Sequence, residues 1–269
     1  MHSSSNVSGL AKRLGTAGIL LGILLTGCVS ETTGGFNVEA STEQAAAAYV
    51  QLAQAHYNAG DIQSARHNLD KARKLDDRHP GIYDLLAMIQ QWEGDSDLAQ
   101  ENFQRAIRLD RDDSRVRNNY AALLFSQGLY AQACDELALV TQDIDYPGRA
   151  IAFENLGRSA LRLERKEQAM QAFTRALQLN PDLYVSALEL ATLRASNEQW
   201  DPAWQLLQQY LQSAQLYNVP YTPQALLTGI QIGDKVGNAA LVEDFSLILT
   251  TLYQQSPEYA IHAGLTDAN

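Results

Sequence analysis

A 34-residue period constrains this chain more than any other feature. Between residues 80 and 113, Leu86-Ala87 lie near the start, Gly94-Asp95 mark a break, and Ala99, Phe103, Ala106 and Leu109 then fall on one helical face. One period earlier the same slots hold Leu52-Ala53, Gly60-Asp61, Ala65, Leu69, Ala72 and Leu75. Later copies hold Tyr120-Ala121, Gly128, Ala133, Leu137 and Val140, then Leu156-Gly157, Ala169, Phe173, Ala176 and Leu179, then Leu190-Ala191, Ala203 and Leu207. The ladder Ala65, Ala99, Ala133, Ala169, Ala203 steps by 34, 34, 36 and 34 residues. A unit recurring at that interval cannot bury its apolar face alone and must stack on its neighbours. Each copy reads as two helices around a break, with a small residue at the crossing because a larger one would push the axes apart.

The small-residue pair, the Ala-x-x-x-Phe spacing and a Pro-containing turn resemble the tetratricopeptide repeat. That resemblance implies an all-α fold, a tetratricopeptide-repeat right-handed superhelix (an α-solenoid) of about six helix-turn-helix repeats. They are expected near 46–79, 80–113, 114–149, 150–183, 184–222 and 223–256, within a domain spanning 45–256. Pro80 suits a first helical turn, where its missing N–H costs nothing. The loop with Asp143, Asp145, Tyr146, Pro147 and Gly148 supplies the two extra residues, and Asn180-Pro181-Asp182 reads as a helix stop. Acidic pairs such as Asp76-Asp77 and Asp112-Asp113 read as solvated helix ends. The fifth repeat carries Trp200 and Trp204 and a longer exit through Tyr217, Pro220 and Pro223. In the sixth, Gly229-Ile230 take the small-residue slots and Val242 replaces the crossing Ala, so looser packing is expected there. Residues 257–269 are expected to be a frayed tail.

Residues 1–27 read as a secretory signal, with Lys12-Arg13 ahead of an apolar run from Leu14 to Leu25. Twelve residues fall short of the about 20 that a spanning helix needs. The run ends in Leu25-Thr26-Gly27-Cys28, which resembles the bacterial lipobox. This implies peptidase recognition of Leu25, Thr26 and Gly27, lipidation of the Cys28 sulfur, and acylation of the new amino terminus. Val29 stands where, in lipoprotein sorting signals, an Asp favours retention in the inner membrane. The expected address is therefore the periplasmic face of the outer membrane, lipid-anchored. Residues 28–44 are rich in Ser, Thr and Gly and read as the lipidated Cys followed by a flexible tether, with a reach on the order of 20 Å.

The chain carries 31 acidic against 20 basic residues, and loss of Lys12 and Arg13 with the leader makes the remainder more acidic. Such a surface repels phosphate backbones, which argues against nucleic acid as a partner. No catalytic, cofactor or metal constellation emerges: His56, His67, His79 and His262 lack ligand spacing, and no phosphate loop or nucleophile elbow occurs. With Cys28 committed to lipid, Cys134 beside Ala133 reads as a buried free thiol. The composition fits an interaction protein rather than an enzyme, monomeric when free.

By resemblance to tetratricopeptide-repeat proteins, the second, fifth, ninth, twelfth and thirteenth slots of each repeat face the inner groove. Candidate partner-binding residues are then Val50, Gln54 and Tyr57 in the first repeat, Asp84, Met88 and Trp92 in the second, and Asn118 and Phe125 in the third. Aromatics with a Met suit a groove that grips a peptide or amphipathic helix. Val50 and Gln54 stand where repeats that clamp a C-terminal carboxylate carry Lys and Asn, which argues against that mode.

Several strings resemble the PilF/PilW family of type IV pilus biogenesis lipoproteins, which act as secretin pilotins. They are Asn118-Asn119-Tyr120, Tyr146-Pro147-x-Arg149 followed by Phe153-Glu154-Asn155-Leu156-Gly157, Ala187-Leu188-Glu189, and Leu226-Leu227-x-Gly229-Ile230. The resemblance implies an adaptor that binds the type IV pilus secretin subunit and promotes its outer-membrane localisation and multimerisation. A scaffold for peptidoglycan hydrolases or outer-membrane assembly factors shares every generic feature; only the Tyr-Pro and Phe-Glu-Asn-Leu-Gly strings separate the two.

Overall fold

A computed structural model of the protein describes residues 41–264, which form thirteen α-helices. Twelve make antiparallel pairs: α1 (Thr42–Asn58) with α2 (Ile62–Leu75), α3 (Pro80–Glu93) with α4 (Ser96–Leu109), α5 (Ser114–Ser126) with α6 (Tyr130–Val140), α7 (Arg149–Arg162) with α8 (Lys166–Leu179), α9 (Tyr184–Ser196) with α10 (Trp200–Leu216), and α11 (Pro223–Val236) with α12 (Ala239–Leu252). Every first helix also touches the first helix of the next pair, so α1, α3, α5, α7, α9 and α11 build one continuous face. This is the tetratricopeptide solenoid that the periodicity implies.

The Gly-Asp doublets work as a stop and a start. Gly60, Gly94, Gly128 and Gly237 end the first helices at φ of +77°, +86°, +77° and +75°, a region that costs other residues strain. The residue that follows caps the second helix: Asp61, Asp95 and Asn238 accept from backbone N–H groups at 3.0, 3.3 and 3.2 Å. In the fourth and fifth repeats Glu164 and Glu198 hold the same left-handed conformation, at +59° and +57°. The turn is thus imposed by pair packing even where no glycine favours it.

Between repeats, Asp76, Asp110, Asp143 and Asn180 each accept from the N–H two residues on, at 2.9 to 3.1 Å. Asp113 caps α5 by accepting from the N–H groups of Arg115 and Val116. The acidic residues expected only to be solvated therefore fold the loops. The loop before α7 is tied down twice, by Ser114 Oγ donating to Asp143 at 2.6 Å and by Arg149 Nε donating to the Thr141 carbonyl at 2.8 Å.

The crossing residues Ala65, Ala99, Ala133, Ala169 and Ala203 are completely buried. Phe103 and Phe173, also completely buried, fill the space four residues on. Gly157 lies so close to Phe173 that a Cβ there would stand 2.6 Å from the ring, and Gly229 meets Phe245 in the same way at 2.5 Å. In the last pair, where Val242 takes the place of the crossing Ala, it sits against Gly233, where a Cβ would be 3.0 Å from its methyl group. Cys134 is buried and unpaired among the described residues, and burial pushes its thiol pKa up.

Both ends of the domain differ from expectation. Ser41 and Gln44 form a reciprocal capping box at 3.1 Å, so α1 begins at Thr42, inside the stretch read as tether. Residues after Pro257 were expected to fray, but α13 (Pro257–His262) is capped by Ser256 and packs on α11. Its anchor is Tyr259, which joins Leu226, Ile230, Phe245 and Leu249. No described helix is long and apolar enough to cross a membrane. The leader and lipobox lie outside the described residues.

Gly157→Ala is expected to lower the unfolding free energy by about 1–3 kcal/mol, because the buried Phe173 ring has no space to retreat into; urea denaturation of the mature chain measures it.

Candidate functional site

The inner face carries two adjoining open pockets at its amino-terminal end. Tyr57 from α1, Met88, Gln91 and Trp92 from α3, and Asn119 and Ala122 from α5 line one of about 460 Å³. Val50, Gln51 and Gln54 from α1, with His79, Gly81 and Arg115, line the other, of about 330 Å³. Trp92 is 69% exposed, so little of its indole is used in packing. Stacking of successive first helices brings Tyr57 to Met88 and Trp92, which lie 31 and 35 residues further along the sequence.

Asp84 does not belong to the open groove. It is 1% exposed, ion-paired with Arg115 and hydrogen-bonded by Asn119 Nδ2 at 3.1 Å. Burial raises the Asp84 pKa more than the Arg115 charge lowers it, while the carboxylate holds Arg115 above its ordinary value despite that guanidinium's own desolvation. The same Asn119 amide lies 3.6 Å from Met88 Sδ, which links this network to the wall of the larger pocket.

Asn118 is partly buried and accepts from Asn155 Nδ2 at 3.4 Å. Phe125 is partly buried against the edge of Tyr130, with the Arg158 guanidinium over its ring. It does not line the Tyr57–Trp92 pocket, so the expected row of three aromatics is a pair plus a separately engaged ring. Cys28, Leu25, Thr26 and Gly27 lie outside the described residues.

Asp84–Arg115 is the first rung of a polar seam between first helices that sequence reading did not assemble. Glu154 accepts from the Ser186 N–H at 3.1 Å and Oγ at 2.8 Å, joining α7 to α9. Glu189 accepts from Gln224 at 3.3 Å, and Thr192 meets Thr228 at 3.1 Å, joining α9 to α11. Burial pushes the Glu189 carboxyl pKa up, with Gln224 pulling the other way. The signal was present as polar residues 31 to 37 apart on the inner faces, but pairing them requires knowing how the repeats stack.

Among the described residues no group of His, Cys, Asp and Glu could hold a metal ion. What the inner face offers is recognition: apolar pockets edged by amides. The fold and this surface define a tetratricopeptide-repeat protein, and tetratricopeptide repeat models match residues 93–147 and 150–183. Over 243 residues, 89% of this chain and 94% of its relative, the sequence is 32% identical to the type IV pilus assembly protein PilF of Pseudomonas aeruginosa. The chain belongs to the PilF/PilW family of type IV pilus biogenesis proteins. A solved structure of Pseudomonas aeruginosa PilF matches with a TM-score of 0.77 at 30% identity, covering 84% of this chain and 99% of that one. The crystal structure of PilW, a widely conserved type IV pilus biogenesis factor, shares the fold with a TM-score of 0.64 at 23% identity, covering 82% and 98%.

The Asp84–Arg115 pair predicts an asymmetry. Arg115→Ala leaves the buried carboxylate with Asn119 alone and should cost about 3 kcal/mol at neutral pH, whereas Asp84→Asn leaves a half-exposed guanidinium that still has water and Asp113 at 3.2 Å, and should cost less. A carboxyl whose pKa is raised on folding contributes stability that is present below its unfolded pKa and lost as pH rises through the folded one. The Arg115→Ala deficit should therefore grow from about pH 4 to pH 7, measured by urea denaturation at both.

Proposed function

We propose that this protein is an outer-membrane lipoprotein adaptor, a pilotin, that holds the type IV pilus secretin subunit and promotes its delivery to the outer membrane and its multimerisation. The observation that carries the reading is the open Tyr57–Met88–Trp92 pocket, an aromatic and amide-edged site with room for side chains of a bound polypeptide, in a chain of the PilF/PilW family. In this reading lipid on Cys28 supplies location, and Val50, Gln54, Tyr57, Met88 and Trp92 supply recognition. The lipid is several acyl chains on one residue, which hold a protein at a bilayer where a single chain binds only marginally. The body binds a client and transforms nothing.

Two variants separate the roles. Trp92→Ala and Tyr57→Ala should each weaken capture of the purified secretin subunit by roughly tenfold or more, as loss of an aromatic anchor does, with unchanged melting. Cys28→Ala should bind the subunit like the parent in vitro yet leave cells without outer-membrane secretin rings. Normal rings in Cys28→Ala cells would overturn the delivery role, and undiminished capture by both aromatic variants would overturn the groove.

A further inference from the structure

Beyond the aromatic pocket, the inner face changes character at α7. Arg158 and Arg162, one helical turn apart, occupy the ninth and thirteenth slots of the fourth repeat. Arg158 Cζ lies 5.0 Å from the Phe125 ring centroid, Phe125 meets Tyr130 edge to face at 5.2 Å, and Arg162 Cζ lies 5.1 Å from the Tyr130 centroid. Arg162 also donates through Nε and Nη2 to the Tyr130 hydroxyl at 3.1 and 2.8 Å. One stack, Arg158–Phe125–Tyr130–Arg162, thus joins α5, α6 and α7.

The rings cover one side of each guanidinium; among the described residues the N–H groups of Arg158 and the Nη1 end of Arg162, whose Nε and Nη2 are turned to the Tyr130 hydroxyl, are left unpaired, and such groups receive a carboxylate. Both arginines are exposed, and among the described residues neither joins an ion pair and Arg158 donates no hydrogen bond. Glu189 on α9, partly buried and bonded to Gln224, feels the Arg158 charge but forms no ion pair with it. In a chain of net charge −11, two exposed guanidiniums one turn apart, neither in an ion pair among the described residues, stand out from the acidic surface.

We propose that this stacked pair receives an acidic side chain, Asp or Glu, of the polypeptide that lies in the groove. The inference rests on the reading of the inner face as a partner groove. It specifies the client further: a segment with an apolar anchor for the Trp92 pocket and a carboxylate farther along, over the fourth repeat.

The direct test follows the side-chain Nε–H resonance of Arg158 and the Nη–H resonances of Arg162 in the mature chain, assigned through Arg158→Gln and Arg162→Gln. The probes are acetyl-Phe-Glu-Leu amide, its Gln counterpart, and the Gln peptide with a free C-terminus. Saturable shifts with the Glu peptide alone are expected. Equal responses to the Glu and Gln amides overturn the site, and a response only to the free C-terminus assigns it to chain ends and overturns the side-chain proposal. With the purified secretin subunit as probe, Arg158→Gln/Arg162→Gln should lower affinity by roughly tenfold, as loss of two exposed charge-assisted contacts does, with unchanged melting. Unchanged affinity there overturns the proposal for that client. If the parent does not retain the subunit at all, the pilotin reading falls while the peptide titration still decides the acidic site.

Discussion

The structure depends on how closely two helix axes approach at a single small residue. Where Ala65, Ala99, Ala133, Ala169 and Ala203 stand, no side chain intervenes, and the bulk is displaced four residues along to Leu69, Phe103, Leu137, Phe173 and Leu207. The contact recurs at one interval, so every pair takes nearly the same geometry and the pairs stack in register. The variations confirm how strict it is. At Gly157 and Gly229 even a methyl group would collide with the facing ring, and Val242 in the last pair is matched by Gly233. Bulk on one helix is met by a small residue on the other.

On this apolar frame the first helices are joined by polar rungs rather than by more hydrocarbon. Asp84 with Arg115 and Asn119, Glu154 with Ser186, and Glu189 with Gln224 sit where successive repeats meet at the inner face. Burying a carboxylate is costly unless it is met by donors, so each rung tolerates one arrangement of the adjacent repeats and penalises others. The seam fixes how the inner face is assembled, and Tyr57, Trp92 and the guanidiniums of α7 stand outside its hydrogen bonds, with Met88 at its edge through Asn119.

Much of this was legible before the structure because a repeat is a statement about neighbours. The Ala ladder, the Gly-Asp doublets and the two extra residues before Arg149 give helix order and crossing points directly. What the one-dimensional pattern could not convey is which inward slots meet. Asp84 occupies a groove-facing slot by phase, but Arg115 from the next repeat covers it, and that depends on the lateral offset between α3 and α5. Phe125 has the phase of Tyr57 and lies one slot from that of Trp92, yet Arg158 and Tyr130 reach it first. The ends were misread for a local reason: a capping box at Ser41–Gln44 and a single anchoring ring at Tyr259 order short segments whose composition suggests coil.

The loop before α7 has one more consequence. An extra pair of residues in a solenoid would ordinarily act as a joint, letting one half swing against the other. Here Ser114 and Asp143 pin one side of it and Arg149 and Thr141 the other. The spacing between the indole of Trp92 and the cations of α7 is thereby set as on a ruler, fixed before anything meets the inner face.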